Sequence, residues 1–280
     1  MKTRKFLFLS LFILITAGLV INACKKDNED DDTTFASDNA IMQTTFDQTQ
    51  SIADQAANGG LQTFIATNDV NLLGVCATIT HDSISSPRVL TIDFGTTNCL
   101  CGDGRYRRGK IIVSYNGRYR DSGTIITFTF DNYAVSDHLV SNSSTKVVTN
   151  KGIQSNGHPL FTIYESGSIT KPNNGGTITW LSNREREWIA GYNTKWWWSD
   201  DEYLVSGTAS GTTSSGLAYT MTITTPLHIK INCHFNIPVE GIVDISRSGK
   251  FPYTLDYGNG TCDNQATITY RNKTYNVILR

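Results

Sequence analysis

The residue types best suited to chemistry lie in one short stretch. Trp196, Trp197 and Trp198 are consecutive, and the carboxylates of Asp200 and Asp201 follow. Neighbouring side chains of a strand point to opposite faces, so the three tryptophans cannot all face one core unless both faces are covered. At least one is therefore expected to be partly exposed, able to stack on a sugar ring while the carboxylates accept its hydroxyl hydrogens. The simpler interpretation is a hydrophobic cluster at a packing seam.

No motif in the chain identifies a catalytic centre. The sequence contains no H-E-x-x-H, G-x-S-x-G or phosphate-binding G-x-x-x-x-G-K-[ST] pattern. The five histidines form no recognisable ligand or triad set. If the protein hydrolyses polysaccharides, its carboxylates would come from Asp200, Asp201 or Glu202, but the sequence leaves the catalytic residues unknown.

Two charged stretches are interpreted as ordinary strand faces. Arg184-Glu185-Arg186-Glu187 alternates in sign, which on a strand places arginine on one face and glutamate on the other. The basic stretch 104–110, with Arg118 and Arg120 nearby, is expected to be a solvated face, and binding of an anion or acidic glycan is the alternative. Over the whole chain, 24 Lys and Arg nearly balance 25 Asp and Glu, which argues against a polybasic nucleic-acid binder.

The cysteines follow a pattern repeated between the two halves. Thr-x-Asp-aromatic-Gly-x-x-x-Cys occurs at 91–99 and again at 254–262. An earlier cysteine precedes each copy, which predicts the disulfides Cys76–Cys99 and Cys233–Cys262, with Cys101 left over as a competitor for Cys76. The spacing of Cys99, Cys101, Cys233 and His234 is not that of a usual zinc site. The stretch 256–264 lacks calcium-loop spacing, so its aspartates are expected to bond their own backbone. We expect no metal and no cofactor.

The elements that must position these residues are mostly strands. Thr is the commonest residue, and alternating runs such as Gly123–Phe130 are separated by Asn-Gly turns. The prediction is a mainly β fold, an antiparallel meander, sandwich or open barrel over 61–280. The internal echoes suggest two related lobes, about 61–165 and 166–280, although all-β sequences also echo by chance. One amphipathic helix is expected at 38–57, with Ser37 or Asp38 as its cap and Gly59-Gly60 as its end.

The first residues have the character of an export signal. A basic start is followed by an apolar run from Phe6 to Val20, too short for a comfortable membrane span. The run ends in Ile21-Asn22-Ala23-Cys24, which resembles the lipobox of bacterial lipoproteins and implies cleavage after residue 23 and acylation of Cys24. The acidic stretch that follows, read as a flexible tether over 24–37, resembles the export signal of surface lipoproteins of the Bacteroidota.

This resemblance implies a location rather than an activity. It predicts an outer-membrane lipoprotein anchored through acylated Cys24, displayed at the surface or else facing the periplasm. The absent catalytic motifs and the Trp196–Trp198 cluster favour a non-catalytic binding or adhesion module, with a glycan as ligand. The alternatives are the polysaccharide hydrolase and a structural envelope protein with protein partners. A nucleic-acid partner is not expected.

Overall fold

The computed structural model describes residues 29–57, 72–194, 198–233 and 238–279. Within them one long helix accompanies a single antiparallel sheet of 15 strands, which confirms the predicted mainly β fold. The elements are α1 (Glu29–Ala57), β1 (Thr78–Asp82), β2 (Arg88–Asp93), β3 (Cys99–Leu100), β4 (Tyr106–Tyr115), β5 (Ile125–Val135), β6 (His138–Val140), β7 (Thr145–Ile153), β8 (Pro159–Thr170), β9 (Thr177–Ala190), a 3-10 helix (Trp198–Asp200), β10 (Glu202–Thr212), β11 (Ala218–Lys230), β12 (Glu240–Arg247), β13 (Tyr253–Asn259), β14 (Gln265–Tyr270) and β15 (Lys273–Ile278).

The sheet is a meander in which most strands pair with their neighbours in sequence. The main path runs β1-β2-β4-β5-β6-β8 and then in order from β9 to β15, while β3 pairs with β4 and β7 bridges β5 and β8. The two longest ladders join β9 to β8 and to β10, and the β8–β9 ladder runs from Leu160 opposite Glu187 to Thr170 opposite Thr177. The lobe boundary considered at residues 165 and 166 would fall inside β8.

Alternation along the strands gives the sheet one buried face. On β9, Ile178, Trp180 and Ser182 are buried while Thr179 and Leu181 are exposed, as the period of two requires. One interruption occurs at Gly109, where the β4–β5 register shifts. There φ is +77°, and an added Cβ would lie 2.2 Å from the carbonyl oxygen of Asn132. Only glycine fits this bulge without displacing β5.

The helix α1 lies against the buried face and begins earlier than the sequence suggested. Its first residue is Glu29 rather than 38, and Phe35, within the added stretch, is buried with its ring centroid 5.1 Å from that of Tyr219 on β11. Asp38, considered as a cap, instead lies within the helix and accepts hydrogen bonds from Lys171 Nζ (2.9 Å) and the Ser214 backbone N–H (2.6 Å). The described residues include no helix with the length and apolar character needed to cross a membrane.

The middle of α1 is held at Phe46. Its fully buried ring meets Phe130 of β5 edge to face, with centroids 5.9 Å apart. The backbone at Gly167 of β8 comes so close that an added Cβ would lie 2.9 Å from Phe46 Cζ. Lys146 Nζ of β7 donates to the Phe46 carbonyl oxygen at 2.8 Å. One helical residue thus contacts three strands.

Both predicted disulfides are confirmed. Cys76 pairs with Cys99 and Cys233 with Cys262, with Cα–Cα distances of 6.1 and 5.3 Å, which lie within the range that a disulfide spans. Cys101 is a free, buried cysteine. Each echoed turn closes in the same way, since the aspartate Oδ1 accepts from the glycine N–H two residues on, at 2.8 Å for Asp93 and 2.9 Å for Asp256.

Truncating Phe46 tests the dependence of the sheet on its helix. We expect Phe46→Ala to lower the free energy of unfolding by about 3–5 kcal/mol, because a buried aromatic ring leaves a cavity between α1 and β5. Urea denaturation measures the change. The matched control is Ser51→Ala, on the exposed side of the same helix, which should leave stability within about 0.5 kcal/mol. A loss below about 1 kcal/mol for Phe46→Ala would show that the helix is dispensable.

Candidate functional site

The two aspartates of the predicted site, Asp200 and Asp201, lie at the end of the loop between β9 and β10. Trp196 and Trp197 lie outside the described residues, and Trp198 begins the 3-10 helix that ends at Asp200. The two carboxylates of Asp200 and Asp201 are adjacent in sequence but lie in different environments. Asp200 is partly exposed, whereas Asp201 is only 5% exposed.

Asp200 faces the surface and orders its own loop. Both carboxylate oxygens lie within hydrogen-bond distance of the Thr194 hydroxyl, at 3.0 and 2.9 Å. The Thr194 hydroxyl is also 2.8 Å from the carbonyl oxygen of Gly191. These contacts join the two ends of the loop, so that Asp200 and Thr194 lie together at one rim.

The Asp201 carboxylate accepts hydrogen bonds from two side chains of the sheet. Its Oδ1 accepts from Trp188 Nε1 at 3.2 Å, and its Oδ2 accepts from the Tyr203 hydroxyl at 3.0 Å. Burial raises the pKa of this carboxyl above its ordinary value, although both donors favour the ionised form. Since each oxygen already has a partner within the protein, the geometry assigns Asp201 a positioning role.

A pocket of about 250 Å³ opens beside this loop. The lining includes apolar surface from Pro159 and aromatic surface from Tyr192, together with polar side chains from His158, Asn193, Thr194 and Asp200. His158 Nδ1 is 2.6 Å from Glu187 Oε1, which fixes the orientation of the imidazole. The pocket therefore offers a carboxylate, a hydroxyl, an amide and an imidazole around an aromatic ring.

Trp188 was not predicted as a site residue, yet it holds the pocket in place. It is 4% exposed and packs edge to face against Tyr192, with centroids 5.0 Å apart. The Arg120 guanidinium, on the loop between β4 and β5, lies 4.5 Å from the Trp188 ring centroid and 4.8 Å from that of Tyr192. Arg120 also donates to the Tyr192 carbonyl oxygen, and the Tyr192 hydroxyl donates to the Arg120 carbonyl oxygen at 3.1 Å. Two distant loops are thereby joined at the pocket wall.

The alternating charges of β9 do separate by face, but the arginines point inward. Arg184 donates to Glu165 at 2.7 Å and to Asp47 of α1 at 3.1 Å. Burial alone would raise the pKa of Glu165, yet Arg184 and Lys146 hold it below its usual value. Trp180 Nε1 adds a hydrogen bond to Glu165 at 3.1 Å. This buried ionic network was not visible in the sequence, since its members come from separate elements.

The basic stretch 104–110 is not one solvated patch. Arg107 is fully buried and pairs with Asp103 at 2.6 Å, while also donating to Gln48 of α1 at 2.9 Å. Arg108 pairs with Asp137, and Lys110 with Asp93. The expectation of a solvated face is wrong for Arg107, because its side chain connects the helix to β4.

No metal centre is found in the part of the chain that the structure describes. No group of three or more His, Cys, Asp or Glu side chains converges there. Glu202, the third carboxylate considered for hydrolysis, lies 2.7 Å from His228 Nε2. Each of the three carboxylates thus has a partner within the protein.

Exchanging the two neighbouring aspartates for asparagine separates their roles. Asp201→Asn should lower the free energy of unfolding by about 1–3 kcal/mol, because an amide cannot accept from both Trp188 Nε1 and the Tyr203 hydroxyl, leaving a buried polar group unsatisfied. Asp200→Asn, the matched control at the rim, should change stability by less than about 0.5 kcal/mol. Thermal and urea denaturation give both values. Equal effects would contradict the assigned positioning role of Asp201.

Comparison with known proteins assigns no family to the chain. No protein-family model, no curated protein and no solved structure matches it. The pocket beside Tyr192, with its hydroxyl, imidazole and carboxylate groups, is therefore the feature of this molecule from which a function is inferred.

Proposed function

We propose that this protein is an exported, membrane-anchored lipoprotein whose β body binds a glycan without turning it over. The observation that carries the proposal is the pocket of about 250 Å³ beside Tyr192. A sugar presents hydroxyls that both donate and accept, and an apolar face of C–H groups. The lining of this pocket has the matching groups, in the small number of placed polar contacts that ligand pockets use.

The polar side chains that line the pocket offer both hydrogen-bond donors and acceptors to a ligand. Asp200 only accepts when ionised, while Asn193 and Thr194 both donate and accept. His158 donates or accepts according to its tautomer, and its Nδ1 contact with Glu187 leaves Nε2 available to a ligand. Tyr192 and Pro159 contribute apolar surface. A neutral saccharide fits this mixture better than a strongly acidic ligand, which the ionised Asp200 would repel.

Binding is favoured over turnover by the partners of the carboxylates. Asp200 contacts Thr194, Asp201 contacts Trp188 and Tyr203, and Glu202 contacts His228. A glycosidase needs one carboxyl facing the scissile bond and a second facing the other side of the sugar. The raised pKa of Asp201 is the one feature that favours the hydrolase, and its 5% exposure argues against contact with a substrate.

The anchor is proposed from the N-terminal sequence, which lies outside the described residues. A basic start, an apolar run and a small residue before Cys24 support processing to an acylated cysteine. Each buried CH₂ group of an acyl chain contributes about 0.8 kcal/mol of membrane affinity. Together with the acidic stretch, these features support display at the outer membrane.

The anchor is tested by detergent-phase partitioning of the full-length protein expressed in a bacterium that processes lipoproteins. We expect the protein to enter the detergent phase and its mature N-terminal peptide to begin at acylated Cys24 by mass spectrometry. Cys24→Ala should keep its uncleaved N-terminal segment and yield no acylated peptide, whereas Cys101→Ala, the control, should be cleaved and acylated as the wild type is. A mature wild-type protein without acyl groups would overturn the anchoring proposal.

The ligand is tested on a glycan array with the full-length protein in detergent micelles. We expect a selective hit, weakened roughly tenfold or more by Tyr192→Ala and by His158→Ala, since tenfold corresponds to about 1.4 kcal/mol of lost contact energy. Tyr275→Ala, at an exposed position of β15, is the control and should bind normally.

Two outcomes of the same experiment oppose the proposal. Release of shortened products from a bound polysaccharide would favour the hydrolase, and Asp201→Asn would then abolish release. A folded protein that binds nothing on the array would favour a structural envelope role with protein partners.

A further inference from the structure

A cavity distinct from the pocket beside Tyr192 lies where two strands separate near one edge of the sheet. β13 and β14 pair only as far as Asp256 opposite Thr267, while β13 continues along β12 to Asn259. The cavity has a volume of about 210 Å³ and is lined from both of the separating strands and from Asn276 of β15. We call it the Asp256 cavity. It shares no lining residue with the pocket beside Tyr192.

The charge on the wall of the Asp256 cavity has one sign. Asp256 and Asp263 line it, and no lysine, arginine or histidine of the described residues does. Each carboxylate uses Oδ1 to close its own turn, accepting from the Gly258 N–H at 2.9 Å and from the Gln265 N–H at 2.9 Å. Among the described residues, none donates to Oδ2 of either aspartate. A cleft lined by charges of one sign concentrates counter-ions, so this cavity attracts a cation.

The echoed turn in the first half of the chain shows which kind of cation the turn receives. Asp93 closes that turn in the same way, since its Oδ1 accepts from the Gly95 N–H at 2.8 Å. Its Oδ2 then pairs with Lys110 Nζ at 3.0 Å. An ammonium group therefore neutralises the aspartate of the first turn, through the oxygen that the turn itself does not use.

The second turn lacks this lysine because an isoleucine stands at its position. Lys110 of β4 lies opposite Asp93, and Ile242 of β12 lies opposite Asp256. Lys110 and Ile242 each follow a glycine of positive φ at a register shift, so the two positions correspond in structure as well as in sequence. The carboxylate that a lysine neutralises in one half of the chain lines a cavity in the other half.

The rest of the lining favours an organic ammonium ion over a metal ion. Val239 and Ala266 contribute apolar surface and Tyr257 contributes an aromatic ring, so part of the wall offers no ligand to a metal. Ca²⁺ takes about six to eight oxygen ligands, and no group of three or more His, Cys, Asp or Glu side chains converges within the described ranges. A volume of about 210 Å³ accommodates a small organic molecule rather than a bare ion.

We infer that the Asp256 cavity binds an amino sugar, whose ammonium group contacts Oδ2 of Asp256 and of Asp263. An ammonium group offers three hydrogen-bond donors, and hydrogen bonds between charged partners are stronger than those between neutral ones. Asn259, Thr261 and Gln265 also line the cavity, and their amide and hydroxyl groups both donate to and accept from sugar hydroxyls. The ligand thus supplies the ammonium group that Lys110 supplies at the echoed turn.

The test is isothermal titration calorimetry of D-glucosamine into the full-length protein in detergent micelles at pH 6. We expect D-glucosamine to bind about tenfold more tightly than N-acetyl-D-glucosamine, which has the same ring but no charge. Asp256→Asn and Asp263→Asn should each weaken D-glucosamine binding about tenfold. Asparagine keeps the Oδ1 acceptor that closes each turn, so both variants should fold. Asp93→Asn, at the echoed turn, is the matched control and should bind as the wild type does.

A second variant tests the correspondence with Lys110 directly. Ile242→Lys places an ammonium group of the protein opposite Asp256, where it should pair with Oδ2 as Lys110 pairs with Asp93. We expect this variant to weaken D-glucosamine binding about tenfold, because the carboxylate is already neutralised. Ile242→Met, a side chain of similar length without charge, is its control and should bind as the wild type does.

Four results would overturn the inference. Equal binding of D-glucosamine and N-acetyl-D-glucosamine would show that the ammonium group is not recognised. Equal binding by wild type and Asp256→Asn would place the ligand elsewhere. Calcium chloride that binds more tightly than D-glucosamine, and loses affinity in Asp256→Asn, would assign the cavity to a metal ion. Loss of D-glucosamine binding in Tyr192→Ala would assign this ligand to the other pocket. Since Tyr192→Ala is expected to leave the Asp256 cavity intact, failure of the glycan proposal and failure of this one are distinguishable.

Discussion

An antiparallel sheet buries an apolar face only when a second layer covers it, and in this protein α1 supplies that layer. The described strands all belong to one sheet, and α1 packs against its buried face. Phe35 packs against Tyr219 of β11 and Phe46 against Phe130 of β5, so strands far apart in the pairing order depend on the same helix. The fit is close at Phe46, where β8 approaches at a glycine. The inward-facing residues of β5, β8 and β11 are therefore in direct contact with this helix.

That helix carries polar groups into the interior, and their pairing fixes its register on the sheet. Apolar contacts alone would tolerate sliding, whereas an unpaired buried charge is strongly penalised. Asp38 bonds the turns at Lys171 and Ser214, Asp47 pairs with Arg184, and Gln48 accepts from Arg107. These contacts lie at successive positions along α1 and reach different strands. If α1 shifted by one residue along the sheet, all of these contacts would break together. They therefore specify a single position of the helix on the sheet.

Hydrogen bonds and ring contacts of buried side chains also connect the core to the proposed binding pocket. Trp188 is buried, and its indole N–H satisfies Asp201, which anchors the start of β10. Tyr192 and Arg120 then hold two loops together beside the pocket. Trp188 and Tyr192 thus connect the lining of the pocket to the core, and such pre-placed groups lose less freedom when a ligand binds.

By itself the sequence determined the features that depend on local pattern. Alternation of apolar and polar residues predicted antiparallel strands, helical spacing predicted one helix, and the repeated Asp-aromatic-Gly turn predicted both disulfides, because each is set by neighbours within a few residues or by an internal echo. Tertiary structure alone decided what depends on distant partners. The helix extends back beyond residue 38, where Phe35 packs against Tyr219 of β11. Arg107 is buried because it pairs with Asp103 and Gln48, and Trp188 lines the pocket while its ring contacts Arg120. Burial and charge pairing are properties of the assembled sheet, and a linear pattern does not encode which side chains will meet across it.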